Sequence, residues 1–227
     1  GCFKQPDLVV LESLFLTTLP EQEYIAAFAE IIKHAIIADQ DYFKFLQTNY
    51  KILLARDNSQ KYFDVINYVI ARSIEIKANI VHQDELETNG VRHQLNFGHT
   101  IGHAIEAASD YRISHGYAVA LGIMIESMIA VKKKFLKVAE FKLISRVLKY
   151  YKLDESISND LFSEDFIDVF LRRLMHDKKN TSLQVRMIMI KSIGECYANK
   201  GQYTHAVELD FVKNILNELF VRESAEA

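Results

Sequence analysis

The sequence predicts a mostly α-helical, bundle-like domain with one small β-hairpin, on three observations. Both prolines, Pro6 and Pro20, fall at the very start, so the rest of the chain lacks the residue that most reliably interrupts helices. Apolar residues recur at helical spacing over long runs, most clearly from Tyr62 through Val65, Ile66, Val69, Ile70, Ser73 and Ile76 to Ile80. One stretch, SLQVRMIMIKSIGECYANKG, instead alternates, is rich in β-branched residues and carries Gly194 past its middle, which places the hairpin near residues 183–199.

In chain order, residues 1–17 read as an extended lead-in followed by one or two turns. Thr18 and Glu21 have capping-box spacing and Pro20 suits a first turn, so a helix should run from there to about Ile37. Tyr24, Ile25, Phe28, Ile31, Ile32 and Ile36 make its bulky apolar side. Ala26, Ala27, Glu30, Lys33 and His34 make a stripe of small and polar residues that leaves room around Glu30. A second helix follows with Asp39 or Asp41 as N-cap, and a third spans about Gln60 to Val81. HQDELETNG is a charged loop closed by Asn89-Gly90. Further helices are expected near 98–109, 115–134, 138–151 and 163–175, with a closing amphipathic helix at about Glu208 to Val221. Without an internal repeat, a low-complexity tract or a linker, residues 1–227 read as one domain.

Composition narrows the partners. At 227 residues, 49% apolar, 25% charged and net charge -3, the chain has the balance of an ordinary globular protein, with no basic excess to recruit nucleic acid or an anionic membrane. Cys2 and Cys196 stand far apart without a CxxC pattern, which fits free thiols in a reducing cytoplasm. GCFKQPDLVV lacks the features of a signal peptide, and no apolar run is long enough to span a bilayer, so a cytoplasmic location is expected.

The densest chemistry lies between Arg92 and His115, where His99, His103 and His115 join Arg92 and Asn96. A single helical histidine is ordinarily a satisfied core or surface residue. A packed core does not need this many together. His99 and His103 are one helical turn apart on one face, and His115 opens the next apolar run, where an antiparallel helix would bring it back toward them. Gly98 and Gly102, costly within a helix, suggest clearance for an ion or ligand. The H-x-x-x-H spacing resembles a zincin, but Thr100 stands where the glutamate of that motif belongs, which removes protease chemistry.

The segments AEIIKHAIIAD, RSIEIKANIVHQDELETNGVRHQLNFGHTIGHAIEA, HGYAVALGI and MHDKKN together resemble, in order, the motifs of the C-terminal domain of 3-dehydroquinate synthases. The resemblance covers essentially the whole chain. It implies the helical half of a two-domain fold whose N-terminal NAD-binding domain is absent from this chain, and a full-length enzyme that is a homodimer. It implies cyclisation of 3-deoxy-D-arabino-heptulosonate 7-phosphate to 3-dehydroquinate in the shikimate pathway. In the family scheme, NAD transiently oxidises a hydroxyl, phosphate is eliminated, the ketone is reduced and an aldol step closes the ring.

Residue by residue, the resemblance assigns Glu30, His99 and His115 as ligands of a divalent metal, zinc or cobalt. It makes Lys33 and His103 catalytic, with His103 facing substrate and not metal. Lys77, Arg92, Asn96, His103 and Lys178 become substrate-binding groups, with Lys179 beside Lys178 sharing that claim. A His₂Glu set with open positions suits a catalytic zinc. Asp84, Glu85 and Glu87 read as structural partners of neighbouring basic groups.

Two residues depart from the family pattern. Ala35 replaces a usual glycine, and Tyr117 replaces a glutamate two residues after His115, where it can offer a hydrogen bond but no charge. No glycine-rich dinucleotide-binding turn is present. Three alternatives stay open: another sugar-phosphate cyclase, a metal-dependent polyol dehydrogenase of the same superfamily, or a non-catalytic helical interaction module.

Overall fold

A computed structural model describes residues 6–154, 163–175 and 184–218. Its helices are α1 (Glu21–Ala38), α2 (Gln40–Ala55), α3 (Gln60–Gln83), α4 (His99–Ala108), α5 (His115–Lys132), α6 (Val138–Tyr150), α7 (Glu164–Met175) and α8 (Leu209–Leu216). Short 3-10 turns at Ser13–Thr18 and Val91–Asn96 precede α1 and α4. The expected helices are therefore present, within a residue or two at most described ends; the proposed end of the last one, Val221, lies outside the described residues.

The centre of the bundle is α5. Its sequence is apolar all round, as a fully enclosed helix requires, and Ala118, Val119, Ile123, Ile125, Ile129 and Ala130 are all fully buried. It packs against α4, α1, α6 and α8 and against the strand at 190–192. Helix α1 is buried on both of its faces, because α2 and α3 cover one side and α5 the other. The polar stripe expected along it is thus largely internal, with Lys33 and His34 buried.

Three tyrosines tie the helices together. The Tyr24 hydroxyl donates to Leu53 O at 2.9 Å, Tyr42 to Val69 O at 2.7 Å and Tyr151 to Leu46 O at 2.9 Å. Each phenol thereby satisfies its one polar atom inside the core, and burial pushes all three above the ordinary tyrosine pKa.

Local signals meet mixed outcomes. Asp39 caps α2, accepting from the Tyr42 amide at 2.9 Å, as its short acidic side chain favours. The capping box of Thr18 and Glu21 does not form. Pro20 occupies the N-cap of α1 with no side-chain cap, and the Thr18 hydroxyl is used inside the preceding 3-10 turn, donating to Phe15 O at 3.3 Å.

The alternating segment forms β1 (Gln184–Ile188), β2 (Ile190–Ser192) and β3 (Glu195–Cys196). The hairpin lies within the expected range as antiparallel β2–β3, turned at Gly194, whose φ of 93° suits a residue without a side chain. β1, however, pairs with β4 (Thr204–Glu208), from Gln184 opposite Glu208 to Ile188 opposite Thr204. β4 is a five-residue strand in which only Val207 is buried, too little alternation to be read from sequence.

Candidate metal centre

Three elements bring Glu30, His99 and His115 together. Glu30 stands on α1, His99 is the first residue of α4 and His115 the first of α5. A Cβ added at Gly116 would lie 2.2 Å from Ala26 O, so the glycine lets the start of α5 press on the α1 backbone one turn before Glu30. At the other contact, a Cβ at Gly122 would fall 1.9 Å from Gly98 O. Gly98 and Gly102 likewise face α5: added Cβ atoms would meet Ile123 Cγ1 at 2.7 Å and Ala118 O at 3.1 Å. The expectation that they clear space for a ligand is corrected here. They clear space for a helix, and so bring the turns that carry His99 and His115 together.

The Glu30 Oε1 atom lies 3.0 Å from His99 Nε2 and 3.5 Å from His115 Nε2. Metal–ligand bonds of about 2.0–2.1 Å in a tetrahedron give a ligand–ligand edge of roughly 3.3 Å, and the two observed separations bracket it. The three residues offer ligand atoms within 4.8 Å of one another.

Tautomers are set from behind. His99 Nδ1 lies 3.3 Å from Phe97 O, which can only accept, and His115 Nδ1 lies 3.0 Å from Glu106 Oε2. With both Nδ1 atoms donating outward when a metal is held, both Nε2 lone pairs would face the ion beside Glu30, as metal-ligating histidines require. The donor set therefore fits a divalent metal.

The second carboxylate oxygen of Glu30 accepts from Lys33 Nζ at 2.6 Å. Burial alone would raise the Glu30 pKa, but the hydrogen bond from His99 and the charge of Lys33 outweigh it and hold the carboxyl well below its ordinary value. Burial lowers the Lys33 pKa, against the pull of Glu30.

Around these groups opens a cavity of about 480 Å³ lined by Glu30, Lys33, His34, Lys77, Glu87, Arg92, Leu95, Asn96, His99 and His115. Lys33, Lys77, Arg92 and Asn96 thus line one cavity with Glu30, His99 and His115. Arg92 is braced by Glu87 at 3.1 Å and by Glu85 O at 3.1 Å. Asp84, by contrast, serves backbone and not basic side chains: it accepts from the Thr88, Asn89 and Arg92 amides at 2.8, 3.1 and 3.1 Å, folding the loop that carries Arg92.

His103 is exposed and lines an adjoining cavity of about 510 Å³ with His93, Asn96, His99, Thr100 and Arg186. Its ring centroid is 5.2 Å from that of His99 and 5.8 Å from that of His115. His103, Glu106 and His115 also offer ligand atoms within 4.8 Å. In that set, though, the His115 nitrogen nearest the carboxylate is the one whose hydrogen Glu106 accepts. Tyr117 is buried, and the outer partner of His115 is Glu106. Lys178 and Lys179 lie outside the described residues.

Sequence reading missed Glu106 and Glu126. Glu106 follows His99 by seven and His103 by three, on the same helical face, a spacing that could have revealed it. Glu126 is the lone charge inside the apolar run of α5, which marks a buried carboxylate with partners.

A family model for the C-terminal region of 3-dehydroquinate synthase matches residues 27–180. The chain is 35% identical over 219 residues to a 3-dehydroquinate synthase of Thermodesulfovibrio yellowstonii, covering 96% of this chain and 57% of that protein. It is 37% identical over 195 residues to the 3-dehydroquinate synthase of Aliivibrio fischeri, covering 86% of this chain and 51% of that protein. The chain thus spans little more than half the length of these relatives. In fold it is similar to 2-deoxy-scyllo-inosose synthase solved with carbaglucose-6-phosphate, NAD+ and Co2+, with TM-score 0.75, 22% identity and coverage of 91% of this chain and 54% of that one. A 2-epi-5-epi-valiolone synthase from Streptomyces hygroscopicus solved with NAD+ and Zn2+ gives TM-score 0.70 at 20% identity, over 93% of this chain and 55% of that one. Among the described residues, no helix is long and apolar enough to cross a membrane.

Proposed function

The chain belongs to the 3-dehydroquinate synthase family through its C-terminal domain, and from that premise we propose that it forms the metal- and substrate-binding half of an enzyme converting 3-deoxy-D-arabino-heptulosonate 7-phosphate to 3-dehydroquinate. The observation that carries this reading is one cavity in which the Glu30, His99 and His115 donor set sits among Lys33, Lys77, Arg92 and Asn96. Such a rim suits a substrate that is both a carboxylate and a phosphate, since Glu30 faces the metal position and Glu87 is engaged by Arg92.

In this reading the three ligands hold zinc or cobalt, which supplies Lewis acidity at the substrate hydroxyls when bound. Arg92, fixed by Glu87 and the Glu85 carbonyl, offers a planar fork to a carboxylate or phosphate. Lys77 and Asn96 orient the chain of hydroxyls and its anionic ends. Lys33, held against Glu30, places a cation one turn from the metal position. His103, which lines the neighbouring cavity beside Asn96 and His99, would hydrogen-bond the substrate from that side. Lys178 is proposed to join them. NAD would be held by an N-terminal domain in a cytoplasmic homodimer.

Phosphate release is the test. With NAD and zinc supplied, turnover is expected when an N-terminal dinucleotide-binding domain is present in cis or as a second polypeptide, and should depend on Lys33 and Arg92. It is not expected from the 227-residue chain alone. Holding two reacting groups about 3–3.5 Å apart can contribute ~7–11 kcal/mol that free NAD in solution does not supply. Turnover by the chain alone, with trace full-length enzyme excluded by mass spectrometry, would sink the half-site reading.

A further inference from the structure

Helix α4 begins with the ligand His99, yet its own sequence does not cap it. Gly98 holds the N-cap position in a left-handed conformation, φ 80°, and provides no side-chain oxygen. The first-turn amides of a helix need acceptors, and leaving them bare inside a protein costs about 1–3 kcal/mol each. The acceptor comes from another helix. Glu126 of α5, fully buried, places Oε2 2.9 Å from the Gly98 amide and Oε1 3.4 Å from the Ile101 amide.

Both oxygens of one carboxylate thus grip the backbone on either side of His99. The helix dipole favours a negative charge at this end, and Lys33 contributes a favourable charge from the same neighbourhood. Burying a carboxylate is expensive: burial pushes the Glu126 pKa up, against the two amide hydrogen bonds and Lys33, which favour the charged form. A leucine or methionine would fill the space in α5 without that cost, but it would leave the start of α4 uncapped.

We propose that Glu126 is a positioning residue for the metal centre, a carboxylate supplied across the helix interface that fixes the first turn of α4 and so sets where His99 Nε2 points. It rests on the reading of Glu30, His99 and His115 as metal ligands. Groups behind a first ligand shell commonly alter metal affinity ~10–100-fold, and this one acts through backbone instead of through the imidazole ring.

Cobalt(II) serves as the probe, because its visible absorption reports ligand geometry as well as occupancy. In the 227-residue chain, Glu126→Gln keeps size and one acceptor while replacing the other with a donor, and Glu126→Leu removes both acceptors. Each should weaken cobalt binding by ~10-fold or more and change the shape of the absorption band. Val147→Ala, a core change in α6, controls for stability: it should lower the melting temperature and leave affinity and band unaltered. If both Glu126 variants remain folded by circular dichroism and bind cobalt with unaltered affinity and spectrum, the positioning role is wrong. If they lose affinity only as Val147→Ala does, in proportion to melting temperature, the role is merely structural and the proposal is again overturned. If the unaltered chain binds no cobalt, or His99→Ala binds it equally well, the ligand assignment itself fails and takes the inference with it.

Discussion

His115 Nδ1 lies 3.0 Å from Glu106 Oε2, while Nε2 of the same ring lies 3.5 Å from Glu30 Oε1. One imidazole therefore stands between two carboxylates with different tasks. Glu106 accepts a hydrogen bond from the ring and holds it, and Glu30 shares the proposed metal position. Glu106→Ala should lower zinc affinity ~10–100-fold by calorimetric titration while the helical circular dichroism persists. Unchanged affinity would mean that the contact orients nothing.

The ligand set makes a sharper demand on His115 itself. Zinc binding by His115→Ala should fall to background, because the ring is one of the three proposed ligands, whereas His103→Ala should still bind one ion. Retained one-to-one binding in His115→Ala, or its loss in His103→Ala, would redraw the centre around the neighbouring cavity.

Gly122→Ala tests the contact between helices. The new Cβ would sit 1.9 Å from Gly98 O, a backbone atom that cannot turn aside. Overpacking of this kind costs roughly 1–3 kcal/mol, occasionally more, and each kcal/mol lowers the melting temperature of a chain this size by about 2–4 °C. Because Gly98 precedes His99, zinc affinity should fall as well. A variant with unchanged melting temperature would show that α4 and α5 can separate freely.

His34 predicts a pH dependence of stability. Its ring is buried with Nδ1 2.7 Å from Ser73 Oγ, and burial, reinforced by Lys33, pushes its pKa down to about 3. In the unfolded chain the ordinary value is about 6.5. Between these values the unfolded state binds the extra proton, so the contribution is complete above about 6.5 and declines as pH falls toward about 3. One such group gives a slope of at most ~1.4 kcal/mol per pH unit. Urea unfolding of the metal-free chain at pH 7, 6 and 5 should lose stability more steeply than in His34→Gln. Parallel profiles would remove His34 as the cause.

Much of this molecule is written locally. Helical spacing and the confinement of proline to Pro6 and Pro20 determine nearly every helix, because burial of one face and the absence of a breaker are properties of the segment itself. Asp39 is readable as a cap for the same reason, its acceptor lying three residues from the amide it serves. The clustering of His99, His103 and His115 with Arg92 and Asn96 is equally visible, and with the family resemblance it leads to the proposed ligand set.

Tertiary structure decided what depends on partners distant in sequence. β1 found β4, and not the segment following it directly, because pairing across that distance depends on what else packs nearby. The Thr18 hydroxyl had a competing carbonyl within its own turn. Gly98 and Gly102 gained their meaning from α5, and Glu106 and Glu126 from amides and a ring nitrogen that only folding brings within about 3 Å. Sequence determined which helices exist and where the candidate ligands cluster; close packing of α1, α4 and α5, through contacts between residues far apart in the chain, determined where those side chains point.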